Sequence, residues 1–141
     1  LQNDEILFLP TIEEAMRLFP KFDLVYTSGA IQYVPDSPMF LKKLIEVNAD
    51  YILFTRCSFS TNDQDIILVQ ESELAANGPG DLPPKFKNKK CKYPVTYISE
   101  KKFFTILNSS YEPILQFPEK SGMINLEEKL TGFGLLAKRK V

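Results

Sequence analysis

Along the N-terminal part of the chain, short apolar runs alternate with stretches whose apolar positions recur at helical spacing. "EILFLP" (5–10) is an apolar run stopped by Pro10 and predicts a buried strand. "TIEEAMRLF" (11–19) has Thr11 as a cap, acidic residues in its first turn and Arg17 in its last, which predicts a helix ended by Pro20. "FDLVYTS" (22–28) predicts a second strand, apolar on both faces as a central parallel strand is. "SPMFLKKLIEV" (37–47) predicts a helix with Ser37 as N-cap, Pro38 at its first position, and a stripe of Phe40, Leu41, Leu44, Ile45 and Val47. "DYILFTRCSF" (50–59) predicts a third strand. Strand, helix, strand, helix, strand at this spacing implies a mostly parallel sheet with right-handed crossovers.

After residue 60 the alternation loosens. "DIILVQES" (65–72) and "YPVTYI" (93–98) are extended and flank "NGPGDLPPKFKNKK", whose Gly, Pro and Lys content marks an exposed loop. Residues 60–98 thus form an insertion with a hairpin-like core, suited to act as a lid. "SEKKFFTILNSS" (99–110) predicts a helix capped by Ser99 that buries Phe103, Phe104, Ile106 and Leu107. "PILQFPE" (113–119) and "GFGLLAKRK" (132–140) predict two closing strands, with 120–131 as a polar connection.

Composition narrows the chemistry. At 141 residues the chain fits one domain able to bury a core, and 44% hydrophobic with 25% charged residues is ordinary for a globular protein. A net charge of −1 gives no general pull toward nucleic acid or anionic lipid. No apolar run approaches the ~20 residues of a membrane span. Cys57 and Cys91 are too few for a disulfide scaffold, so a reduced, cytoplasmic setting is expected. With no histidine in the chain, Ser-His-Asp and Cys-His machinery is excluded, and a general base must be Asp, Glu, Lys or Tyr.

In open α/β sheets ligands sit beyond the carboxyl ends of the strands. That rule nominates Thr27, Ser28 and Gly29 after one strand, and Arg56, Cys57 and Ser58 after the next. Ser28 and Gly29 either present backbone and hydroxyl groups to a ligand or merely permit a tight turn. Asp36 is a candidate base, but before Ser-Pro it is more simply a turn and cap residue. Arg56, carried to the sheet edge by Tyr-Ile-Leu-Phe, either holds a carboxylate or phosphate in its fork or closes the sheet through a salt bridge to Asp36 or Asp63. Cys57 fits as a small core filler. The five lysines of "KFKNKKCKY" form either a patch for an anionic glycan or nucleotide-linked substrate or a solvated loop.

The order of these elements resembles the second half of a class I S-adenosylmethionine-dependent methyltransferase, with "FDLVYTSGAIQYVPDSPMFLKKL" as the fourth strand, its loop and the next helix. More narrowly, "SGAIQYVPD", "YILFTRCSF", "VQES", "VTYISEKKFF" and "TGFGLLAKR" resemble a methyltransferase family found beside bacterial surface-polysaccharide genes. The resemblance implies a partial Rossmann-like α/β sheet, mostly parallel with an antiparallel closing pair. It implies S-adenosylmethionine as cofactor, held by Thr27, Ser28, Gly29, Gln32 and Tyr33, with Gln32 and Tyr33 lining the pocket or, for Tyr33, packing. Arg56 and Ser58 would then meet the substrate, a small molecule or glycan such as a sugar or polysaccharide precursor.

The family's Gly-rich turn after its first strand, and the acidic residue after its second, have no counterpart here, since the Gly-Phe-Gly of 132–134 lies in a closing strand. The chain is therefore expected to be the C-terminal piece of a longer protein, a single α/β domain over 1–141 that binds the cofactor poorly alone. Strand 5–9 would lose its family neighbours, and its short connecting helix would let it move beside strand 22–28. Otherwise the free edge of 22–28 would pair with a second chain as a dimer. The alternative function is a non-enzymatic α/β interaction module, or a degenerate methyltransferase serving as a partner domain.

Overall fold

The computed structural model describes residues 5–76, 80–119 and 129–140. Its helices are α1 (Ile12–Leu18), α2 (Ser37–Glu46) and α3 (Glu100–Leu107), and its strands are β1 (Leu24–Ser28), β2 (Tyr51–Ser60), β3 (Ile66–Glu73), β4 (Lys90–Tyr97), β5 (Tyr111–Pro118) and β6 (Leu130–Arg139). One sheet has the order β1-β2-β6-β5, and β3 and β4 form a separate hairpin. Strands β1 and β2 are parallel, with Leu24 opposite Tyr51 and Ser28 opposite Thr55. Strand β6 is inserted antiparallel between β2 and β5. This is the mixed α/β sheet expected of the sequence, a parallel pair followed by an antiparallel closing pair.

Strand alternation sorts the side chains between two faces. Val25 and Thr27, Ile52 and Phe54, and Leu135 and Ala137 share the inner face. There they meet Leu41 and Leu44 of α2 and Phe103 and Leu107 of α3, with Ile12 of α1 packed against the same cluster. The densest part is aromatic. The Phe59 and Phe133 rings stack at 4.4 Å, Phe103 meets Phe54 edge-on at 5.1 Å, and Phe104 stacks on Phe133 at 5.7 Å. The other face is open, with Leu24, Tyr26, Tyr51 and Leu115 all exposed. Strand β1 is thus buried on one face only, although its composition suits burial on both.

Local grammar accounts for most boundaries. Thr11 accepts from the Glu14 amide at 3.1 Å and caps α1. Ser99 caps α3 as expected and is itself tied to the insertion, because its amide donates to Asp65, whose other oxygen takes Lys102 Nζ at 2.6 Å. Helix α2 departs from the expected cap. Asp36 is the N-cap, accepting from the Met39 amide at 2.8 Å, while Ser37 turns inward and donates to the Ile31 carbonyl. A carboxylate on an extended residue reaches the free amides, whereas the Ser37 hydroxyl finds a buried carbonyl that needs a donor.

Residues 5–9 are not a strand, and Ile6, Leu7 and Phe8 are exposed. An apolar run becomes a strand only where it joins a ladder, and among the described residues 5–9 is not part of the sheet that holds β1. The move of 5–9 into the position beside 22–28 therefore does not occur. The expected extended segments of the insertion do pair, as the β3–β4 hairpin, with 80–89 irregular between them. Within the polar connection expected at 120–131, residues 120–128 lie outside the described residues.

Candidate functional site

The parallel register brings the carboxyl ends of β1 and β2 together. The Gly29 amide donates to the Thr55 carbonyl at 2.8 Å, which carries the pairing one step past the end of β1. Gly29 has φ +62°, and a Cβ there would meet the Arg56 carbonyl at 3.5 Å and the Arg56 Cβ at 3.7 Å. Those are ordinary contact distances, so it is the left-handed turn that calls for glycine here. Ser28, Gly29 and Arg56 lie together at the carboxyl ends of the two strands, as the strand order requires.

Arg56 departs from regular strand geometry. Its φ is +55°, and the pairing of β2 with β6 skips between Phe54 and Cys57, a β-bulge. A bulge re-aims one side chain while the strand continues. The Arg56 amide donates to Glu119 Oε2 at 2.5 Å, so a carboxylate at the end of β5 satisfies the displaced N–H. The salt bridge considered for Arg56 is absent among the described residues. Asp36 caps α2, and Asp63 takes Lys101 at 3.2 Å.

On the open face beside Arg56, the Tyr26 hydroxyl lies 3.2 Å from Thr55 Oγ1. Hydrogen bonds with Thr55 and then Ser28, aided by the positive charge of Arg56, hold the Tyr26 phenol below its ordinary pKa. Burial pushes the Cys57 thiol up to about 11, opposed in part by a hydrogen bond from the Gly29 backbone. Cys57 is therefore an inert core filler.

Thr27 points inward and is buried, and its Oγ1, like Oε1 of Gln32, has no partner among the described residues. Gln32 and Tyr33 lie on a 3-10 turn, Ile31–Tyr33, shortly after Gly29. Tyr33 is about half exposed and meets Tyr93 of β4 edge-on at 5.7 Å, so the insertion leans on the turn. Ser58 is buried in β2 beyond the bulge, opposite Gly132. Sequence reasoning overlooked Tyr26, Thr55, Tyr93 and Glu119. Period-2 alternation from Ser28 was enough to find Tyr26, whereas Glu119 carries no local signal.

Two cavities of about 470 and 430 Å³ open at the opposite end of the sheet, near Asp50, Tyr51 and Arg139. Several of their polar groups are already engaged. Asp50 pairs with Lys21 at 2.8 Å and with Arg139 at 3.0 Å, and Lys140 Nζ donates to the Asn108 carbonyl. Among the described residues no His, Cys, Asp and Glu side chains gather as a metal site, and no helix is long and apolar enough to cross a membrane.

No protein-family model and no curated protein matches the chain. Among solved structures, it is similar to the glycopeptide N-methyltransferase MtfA complexed with (S)-adenosyl-L-methionine, with TM-score 0.47 and 11% identity over 86% of this chain and 55% of that one. It is also similar to an S-adenosylmethionine-dependent methyltransferase from Clostridium acetobutylicum, with TM-score 0.48 and 11% identity over 97% of this chain and 62% of that one. The chain thus spans 55–62% of the length of these two structures.

Proposed function

We propose that the chain is the C-terminal part of a cytoplasmic, class I S-adenosylmethionine-dependent methyltransferase-like domain whose acceptor is a small molecule such as a sugar or polysaccharide precursor. The observation that carries this is the parallel pair β1–β2, at whose carboxyl edge Ser28, Gly29 and Arg56 stand side by side. Thr27 Oγ1 and Gln32 Oε1, buried and without a partner among the described residues, fit the same reading, since such atoms are rare and suit a bound ligand. Thr27, Ser28, Gly29, Gln32 and Tyr33 would hold the cofactor, and Arg56 and Ser58 the acceptor.

When bound, S-adenosylmethionine supplies an electrophilic methyl group. The share of this chain's residues is to orient an acceptor oxygen or nitrogen and to exclude water. In a chain without histidine, any proton removal falls to Asp, Glu, Lys or Tyr. The Gly-rich part of the cradle would come from residues preceding Leu1, whose strand would pair with the free edge of β1 and whose helices would cover the open face. On its own, this chain is then expected to bind the cofactor poorly.

A second reading is favoured by the same open face and edge: a non-enzymatic partner domain that pairs through β1, with a second copy as one such partner. Calorimetric titration of the protein with its preceding residues against S-adenosylmethionine separates the two. Saturable heat supports the enzyme. Absence of heat, with β1 engaged by another chain, supports the partner domain.

A further inference from the structure

The bulge interrupts β2 at Arg56, whose φ is +55°. A bulky residue in the left-handed region is strained, and such strain is retained where the surroundings hold it for a purpose. Here the holding group is visible, because Glu119 Oε2 accepts a hydrogen bond from the Arg56 amide. The guanidinium itself is exposed and pairs with no carboxylate among the described residues. Around it on the open face stand three hydroxyls, with Tyr26 and Thr55 linked at 3.2 Å and Ser28 opposite Thr55 in the register.

A cationic fork beside several O–H donors is the chemistry that recognises an oxyanion. We propose that Arg56, with the hydroxyls of Tyr26, Ser28 and Thr55, forms a subsite for a phosphate or carboxylate group of the acceptor. Glu119 is a positioning residue, acting through the Arg56 backbone. Its own negative charge also faces the cluster and tempers the site's affinity for anions. The inference rests on the proposed function for the identity of the acceptor, but the subsite belongs to this chain alone.

The test is a titration of the 141-residue chain with inorganic phosphate and, separately, with acetate, followed by NMR at the Arg56 side-chain Nε–H and the Gly29 amide. Saturable, millimolar binding at these signals is expected, with whichever anion binds more tightly reporting the group preferred. Arg56→Lys keeps the charge and loses the fork, so it weakens binding about tenfold. Glu119→Gln keeps an acceptor for the Arg56 amide and removes the opposing charge, so it tightens binding several-fold. The proposal is overturned if the Arg56 and Gly29 signals stay still in tens of millimolar of either anion. Equal binding by wild type and Arg56→Lys also overturns it, as do shifts confined to the lysines of 85–92. Thermal melts of both variants guard against misfolding. Anion binding here without cofactor binding by the protein with its preceding residues would retain the subsite and discard methyl transfer. The reverse result would discard the subsite alone.

Discussion

The sheet has two edges, and they are built differently. At the β5 edge, Pro113 and Pro118 remove backbone donors, and the pairing with β6 is irregular between Pro113 and Leu115. These devices blunt an edge against pairing with another strand. At the β1 edge, Leu24–Ser28 carries no proline, no lysine and no bulge, and its register with β2 is unbroken. The faces repeat the contrast. Ile52 and Phe54 are fully buried under the helices, while Leu24 and Tyr26 on the other side are about half exposed. A protected edge ends a sheet. An unprotected one, with an apolar face beside it, is suited to receive another strand and a covering layer.

Substitutions sharpen the contrast. The largest effect belongs to the covered face, where Phe103→Ala removes the ring that touches Phe54, Phe59, Phe104 and Phe133. It is expected to cost about 3–5 kcal/mol in urea unfolding. At the protected edge, the Phe117 ring lies over Gly134 so closely that a Cβ there would overlap it. Gly134→Ala is expected to cost about 1–3 kcal/mol by the same measurement, and Phe117→Ala in the same chain to recover part of it. Asp36→Ala removes the α2 cap for about 1 kcal/mol, whereas Ser37→Ala breaks an inner hydrogen bond and leaves the cap intact.

At the open face, Leu24→Ser changes the stability of this chain by no more than about 0.5 kcal/mol. A large loss there would mean the face is already covered and would break the contrast. Cys57 supplies a chemical check. Its folded pKa is raised from 9.0 to about 11, so its contribution to stability is complete below the unfolded value and is lost as pH rises between the two. Iodoacetamide at mildly alkaline pH should label the exposed Cys91 and spare Cys57, as read by mass spectrometry.

Much of the fold was legible because its signals are local. Pro20 and the Asp-Ser-Pro of 36–38 punctuate helices, and the apolar runs at 22–28 and 50–59 leave little choice but strands. The fate of 5–9 was not legible, because an apolar run does not reveal whether a partner strand stands beside it. Within the candidate site, Ser28, Gly29 and Arg56 followed from strand order. The bulge did not, since a left-handed residue is usually announced by glycine or asparagine rather than arginine. The contacts that complete the site join residues far apart in sequence, Arg56 with Glu119 and Tyr33 with Tyr93, and no period in the chain encodes them.

Hydrogen–deuterium exchange at the β1 amides tests most directly whether this edge awaits a neighbour. Amides of β1 that face away from β2 should exchange freely in the chain alone. With the preceding residues attached, they should slow by at least about 100-fold, the equivalent of roughly 2.7 kcal/mol. Equal and rapid exchange in both proteins would mean that β1 is a true end of the sheet, and the half-fold account would be wrong.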